Sequence, residues 1–139
     1  MKRDMTDKLI SDCVRESVNW TCERCDKYFP EGNARKGLHN SHYFGRGGKS
    51  TRWFFDNCDS LCYGCHKFME RSRSEYDAFK RKKLGATRFD ALILRANKPR
   101  KYIKADIKEM RDFLRQQLKD MMKLRMNGEQ GFIKLFNYD

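Results

Sequence analysis

Leu61-Cys62-Tyr63-Gly64-Cys65-His66 is the stretch from which the fold is read. Its two cysteines stand at the spacing of a metal knuckle. Cys22-Glu23-Arg24-Cys25 repeats that spacing upstream, with residues 26–61 between the two pairs. Four thiolates suit a tetrahedral Zn²⁺ with bonds of about 2.3 Å. The alternative, in which one pair is a redox motif, lacks the βαβ pattern that surrounds such motifs. A structural zinc on Cys22, Cys25, Cys62 and Cys65 is therefore predicted, closing everything between the pairs into one loop. Cys13 and Cys58 fall outside the spacing, and Cys13, on an apolar helix face, is expected in the core.

All three histidines of the chain, His39, His42 and His66, fall in or beside that loop. Residues 38–44 and 51–56 read as two strands, joined by the glycine-rich run Gly45-Arg46-Gly47-Gly48-Lys49. Helical periodicity then resumes over 60–84 until Gly85 stops it. Upstream, Leu9, Ile10, Cys13, Val14 and Val18 mark an amphipathic helix over 6–18, with Thr6 as its N-cap. Downstream, Thr87 opens a helix running to Ala96, and Pro99 prevents its continuation. Ile103, Ile107, Met110, Leu114, Leu118 and Met121 form the stripe of a long helix that ends near Asn127-Gly128. The tail carries Phe132, Ile133, Leu135 and Phe136, apolar enough to dock on the body or on another chain. The predicted organisation is α+β: an N-terminal helix (1–20), a zinc-binding core (21–85) and a helical C-terminal arm (86–139).

Lys and Arg outnumber Asp and Glu by 31 to 19, a net charge of +12 that favours a polyanion. Each phosphate neutralised releases condensed counterions, so the expected partner is nucleic acid. With 36% charged residues in 139, the core is small, and a metal crosslink adds stability that packing alone does not supply. No targeting segment is visible, and no run approaches the roughly 20 apolar residues of a membrane span. The expected location is cytoplasmic, without membrane association. A homodimer through the C-terminal helices is left open.

Ser41-His42-Tyr43, Asn57 and Leu61-Cys62-Tyr63-Gly64-Cys65-His66 resemble the HNH endonuclease motif with its zinc knuckles, a ββα-metal fold. Cys22-x-x-Cys25, His42-Tyr43, Thr51-Arg52, Asn57, Cys62-x-x-Cys65, Tyr76 and Gly85 are in turn similar to phage recombination proteins of the lambda NinG (Rap) type, although that family often has Asn where this chain has His66. The resemblance implies a metal-dependent endonuclease that cleaves DNA phosphodiester bonds, on branched or recombination-intermediate DNA in a phage-infected host's cytoplasm. His42 would be the general base, Asn57 would accept the proton of its Nδ1, and His66 would ligate a catalytic divalent ion, Mg²⁺, Mn²⁺ or Ni²⁺. Many HNH enzymes carry Asp or His where this chain has Ser41; Asp56, Asp59 or His39 could supply the second ligand instead, with Asp56 preferred. Arg46, Lys49 and Arg52 are candidate phosphate contacts. Arg71, Arg73, Lys80, Arg81, Lys82 and Lys83 are candidates for a track along the DNA backbone. The rival reading is a non-catalytic zinc-dependent DNA-binding module whose histidines are structural.

Overall fold

Asp4 starts the first helix. Its carboxylate accepts the Asp7 amide while Asp7 accepts the Asp4 amide, a reciprocal pair that satisfies two of the free N–H groups of the first turn. Helix α1 (Met5–Ser17) follows, so Thr6, predicted as the cap, already lies inside it and is buried. The structure, a computed structural model, describes residues 2–30 and 34–139. After a one-turn helix α2 (Ala34–Gly37), strand β1 (Leu38–His42) pairs antiparallel with β2 (Cys58–Cys62), with Leu38 opposite Cys62 and His42 opposite Cys58.

The second strand is thus displaced from its predicted place at 51–56, and the first ends two residues early. Residues 49–57 have a strand's composition, but local hydrogen bonds wind them up. The Arg52 amide donates to the Gly48 carbonyl in a short helix α3 (Lys49–Arg52), and a 3-10 turn (Phe55–Asn57) leads into β2. Side-chain amide groups of Asn57 supply the Phe44 and Thr51 carbonyls with donors that a sheet would have supplied from backbone.

The helix predicted over 60–84 is two helices. Helix α4 (Tyr63–Arg71) is capped by the Cys62 sulfur, which accepts the Cys65 amide at 3.4 Å. Ser72, at ψ 77°, turns the chain into α5 (Arg73–Ala96). Gly85 breaks α5 at φ 80°, where glycine pays no steric penalty, and the helix resumes at once, leaving Thr87 inside it. Helix α6 (Lys104–Met126) completes an α+β arrangement around a two-stranded sheet. Among the described residues no helix is long and apolar enough to cross a membrane.

Two cores flank the hairpin. Leu38, Leu61, Cys65, Met69, Tyr76 and Phe89 join the hairpin to α4 and α5. Leu9, Ile10, Cys13, Met110, Leu114 and Met121 join α1 to α6 and take in Phe55 and Cys58. The C-terminal tail docks on this second layer: Ile133 donates its amide to Ser17 at 2.8 Å, and the Asn137 side chain accepts the Phe55 amide at 2.7 Å.

Between sheet and α5 lies a buried charge network. Asp59 and Lys80 have fully buried side chains 3.0 Å apart. Tyr76 donates to the other Asp59 oxygen at 2.8 Å, and Lys83 joins at 2.6 Å. Burial works to raise the Asp59 carboxyl, but the Lys83 and Lys80 charges outweigh it and hold the group below its usual range. Lys80 therefore leaves the predicted DNA track, and Asp59 leaves the candidate catalytic-metal ligands. Removing one member strands the buried lysine, so Asp59→Ala is expected to cost about 3–5 kcal/mol in urea unfolding. A loss below about 1 kcal/mol would show the network to be dispensable.

Candidate functional site

The sulfurs of Cys22, Cys25, Cys62 and Cys65 all lie within 4.8 Å of one another, and among the described residues this is the one such convergence of three or more potential ligands. Cys25 and Cys62 are 3.8 Å apart, close to the tetrahedral edge that four bonds of about 2.3 Å produce. The cluster could hold a zinc ion. The first knuckle closes on itself: the Asp26 amide donates to the Cys22 carbonyl at 2.9 Å, with Asp26 in the left-handed region at φ 64°. Arg24 lies 3.4 Å from the Cys65 sulfur and stacks on Phe68. Cys13 and Cys58 stand apart, each buried with its sulfur on a backbone carbonyl, and burial pushes both thiols up to about 12.

A second centre forms around the histidines. A cavity of about 450 Å³ is lined by Arg3, Arg15, His39, Asn40, His42, Gly45, Arg46, His66 and Glu70. His39 from β1 and His66 from the first turn of α4 face each other through their Nδ1 atoms at 3.0 Å. One helical turn after His66, Glu70 places a carboxylate oxygen 3.1 Å from His66 Nε2. His42, the last residue of β1, holds its Nε2 3.2 Å from the Arg52 carbonyl. A carbonyl only accepts, so Nε2 carries the proton and Nδ1 keeps the lone pair. Burial pushes His42 down to about 4; the Arg52 carbonyl opposes that shift and the nearby Arg46 charge adds to it. Burial likewise lowers His66, against the pull of Glu70. Both rings are neutral at pH 7, inside a lining with three arginines.

Several residues singled out from the sequence sit elsewhere. Asn57 does not reach the His42 ring. Its side-chain oxygen accepts the Phe44 amide at 2.8 Å and its nitrogen donates to Phe44 and Thr51, so it clamps the loop between the strands. Asp56 is ion-paired to Arg88 at 2.7 Å and lines a different cavity, beneath the C-terminal tail. Of the three carboxylate or imidazole candidates for the second ligand, His39 is the one that meets His66. Ser41 faces the core, where its hydroxyl bonds Tyr76 at 2.8 Å, so an acid there would enter the Asp59 network instead of the pocket. Arg52 is buried against the Asp7 carboxylate and is no surface phosphate contact. Arg46 lines the pocket, and Lys49, Arg71 and Arg73 are exposed. Glu70, Arg3 and Arg15 were not legible in advance. The spacing of His66 and Glu70 on one helix face is a signal for the first; nothing local points to the other two, which come from α1 and the residues just before it.

Residues 3–124 match the family model described as Bacteriophage Lambda NinG protein. The chain belongs to the NinG family. The match extends well past residues 21–85, taking in α1, which supplies Arg15 to the pocket, and nearly all of α6. No curated protein and no solved structure matches the chain.

Two measurements follow from this geometry. Purified NinG-family protein of this sequence is expected to carry one zinc per chain, and Cys62→Ser to lose both zinc and fold. Less than about half an equivalent, with an intact circular-dichroism spectrum, would contradict that. The histidine pocket predicts an acid-sensitive fold. His42 titrates near 4 when folded and near 6.5 when unfolded, so between these values the unfolded chain binds the extra proton. Stability is full above pH 6.5 and falls as pH drops toward 4, by about 3 kcal/mol from this residue. In urea titrations at pH 7 and pH 5, His42→Asn should flatten the loss; equal losses in both proteins would show His42 is not held neutral.

Proposed function

We propose that this chain is a metal-dependent nuclease that hydrolyses DNA phosphodiester bonds, with branched or recombination-intermediate DNA of a phage as its substrate. One observation carries the reading: a neutral histidine with one nitrogen pinned, and two more histidines with facing nitrogens, share a single arginine-lined cavity.

His42 is the general base. Its Nδ1 takes the proton of the attacking water, while the Arg52 carbonyl holds Nε2–H and so fixes the tautomer. A pKa near 4 makes an isolated imidazole a weak base, but a phosphate entering the pocket brings negative charge that favours the protonated ring. Asn57 is a positioning residue, keeping residues 43–51 folded so that the Arg52 carbonyl stays under His42. Arg3 and Arg46 make the cavity attractive to the phosphate, while Arg15 is ion-paired to Asp12 at 3.1 Å, and exposed Lys49, Arg71 and Arg73 are the proposed contacts along the backbone.

The facing nitrogens fit a divalent ion. At 3.0 Å the two nitrogens are close enough to share one ion. His39 and His66 would hold it through Nδ1, and Glu70 would keep the Nε2 proton of His66, the arrangement by which carboxylates orient ligating imidazoles. An ion held there would supply charge to polarise the phosphate and steady the leaving oxygen. Two imidazoles suit Mn²⁺ or Ni²⁺ better than Mg²⁺, which prefers oxygen.

Nicking of supercoiled plasmid at fixed pH and salt is the test. Activity should be weak in Mg²⁺ and clearly higher in Mn²⁺ or Ni²⁺. His42→Ala should lose about 10²- to 10⁴-fold in rate with little change in DNA affinity or zinc content. Glu70→Ala should need about 10- to 100-fold more metal for half-maximal rate. DNA binding without nicking in any of these ions would leave the non-catalytic zinc module as the correct reading.

A further inference from the structure

Tyr63 stands beside the histidine pocket with 60% of its surface exposed. It is the first residue of α4 and lies within the second cysteine knuckle. Its ring meets His39 edge-on, with centroids 5.8 Å apart and planes at 85°. His39 in turn meets His66 edge-on at 5.2 Å. Lys67, one turn along α4, holds its ammonium 5.7 Å from the Tyr63 centroid. A lone exposed aromatic is ordinary on a protein surface. This one touches a pocket-lining histidine, projects outward, and has a cation alongside.

An aromatic face next to a cation is the chemistry by which proteins hold single-stranded nucleic acid: the ring stacks on a base and the cation meets the backbone. Within a duplex each base already has both faces covered by its neighbours. A protein ring can therefore stack only on a base at an end, a gap, a flap or a junction. The two ring contacts put Tyr63 within about three base steps of the facing His39 and His66 nitrogens, at about 3.4 Å per step along a strand. We propose that Tyr63 is a stacking platform for an unpaired nucleobase beside the phosphate bound in the histidine pocket, with Lys67 on the adjoining backbone. The inference rests on the nuclease reading and deepens it: the ring makes the enzyme selective for DNA that is locally unpaired next to the cut, whatever the base, because every base offers a π face.

The test uses the full-length zinc-loaded chain and two DNAs of one sequence carrying 2-aminopurine at the same position, one fully paired and one gapped beside the label. Wild type should quench the fluorescence of the gapped DNA on binding and cleave it in preference to the paired DNA. Tyr63→Ala should abolish the quench and lower the gapped-to-paired rate ratio about tenfold, the worth of one stacked base. Tyr63→Phe and Tyr63→Trp should retain both. Zinc content and thermal melting of each variant establish that the fold is intact. The proposal is overturned if Tyr63→Ala keeps the quench and the ratio, or if Tyr63→Phe behaves like Tyr63→Ala, which would assign the effect to the hydroxyl. Cleavage that proceeds without dependence on Tyr63 sinks the stacking platform and leaves the nuclease; a Tyr63-dependent quench with no cleavage in any divalent ion sinks the nuclease and leaves the platform.

Discussion

Four sulfurs from two distant knuckles converge within 4.8 Å, and the placement of the histidine pocket depends on that convergence. Cys62 ends β2 and caps α4 with its own sulfur, so one residue sets both the register of the hairpin and the start of the helix. From there the consequences are geometric. His66 falls in the first turn of α4, opposite His39 on β1, and Glu70 falls one turn further on the same face. Thiolates this close repel one another unless a cation lies between them. A zinc ion there would supply attraction that a 139-residue chain with so polar a composition has little core to provide.

The hairpin carries different chemistry on its two faces. Ser41 and Asp59 point toward α5, where Tyr76 and Lys80 complete a network sealed from water. The opposite side meets α1, whose Arg15 donates to the Leu38 carbonyl and also lines the pocket. Asn57 then fastens the connection between strands, accepting from the Phe44 amide and donating to the Phe44 and Thr51 carbonyls. Rigid surroundings matter for His42 in its proposed role as a base, since the tautomer and direction of its lone pair follow from a single hydrogen bond to Arg52.

Features set by spacing were legible in the chain itself. The paired knuckles, the clustering of His39, His42 and His66, the break at Gly85 and the Met110, Leu114 and Met121 stripe of α6 are all present in the structure. What pattern could not reveal was which way polar residues turn. Arg52 and Lys80 look like surface cations, yet each is drawn inward by a buried carboxylate that lies 45 and 21 residues away along the chain. Asn57 occupies a turn either way, and only the fold shows that its amide is taken up by Phe44 and Thr51 rather than by His42. The run 51–56 has a strand's composition, but β-branched and aromatic residues pack equally well from a short helix, and here the Arg52 amide closes onto the Gly48 carbonyl.

In the proposed mechanism His39 and His66 form a metal site separate from the cysteines. Electron paramagnetic resonance of Mn²⁺ titrated into zinc-loaded protein reads this without any substrate. We expect one Mn²⁺ bound per chain in the wild type, with binding lost in both His39→Ala and His66→Ala while the zinc content of each variant stays unchanged. Mn²⁺ binding that is absent from the wild type, or that survives in both variants, would contradict it.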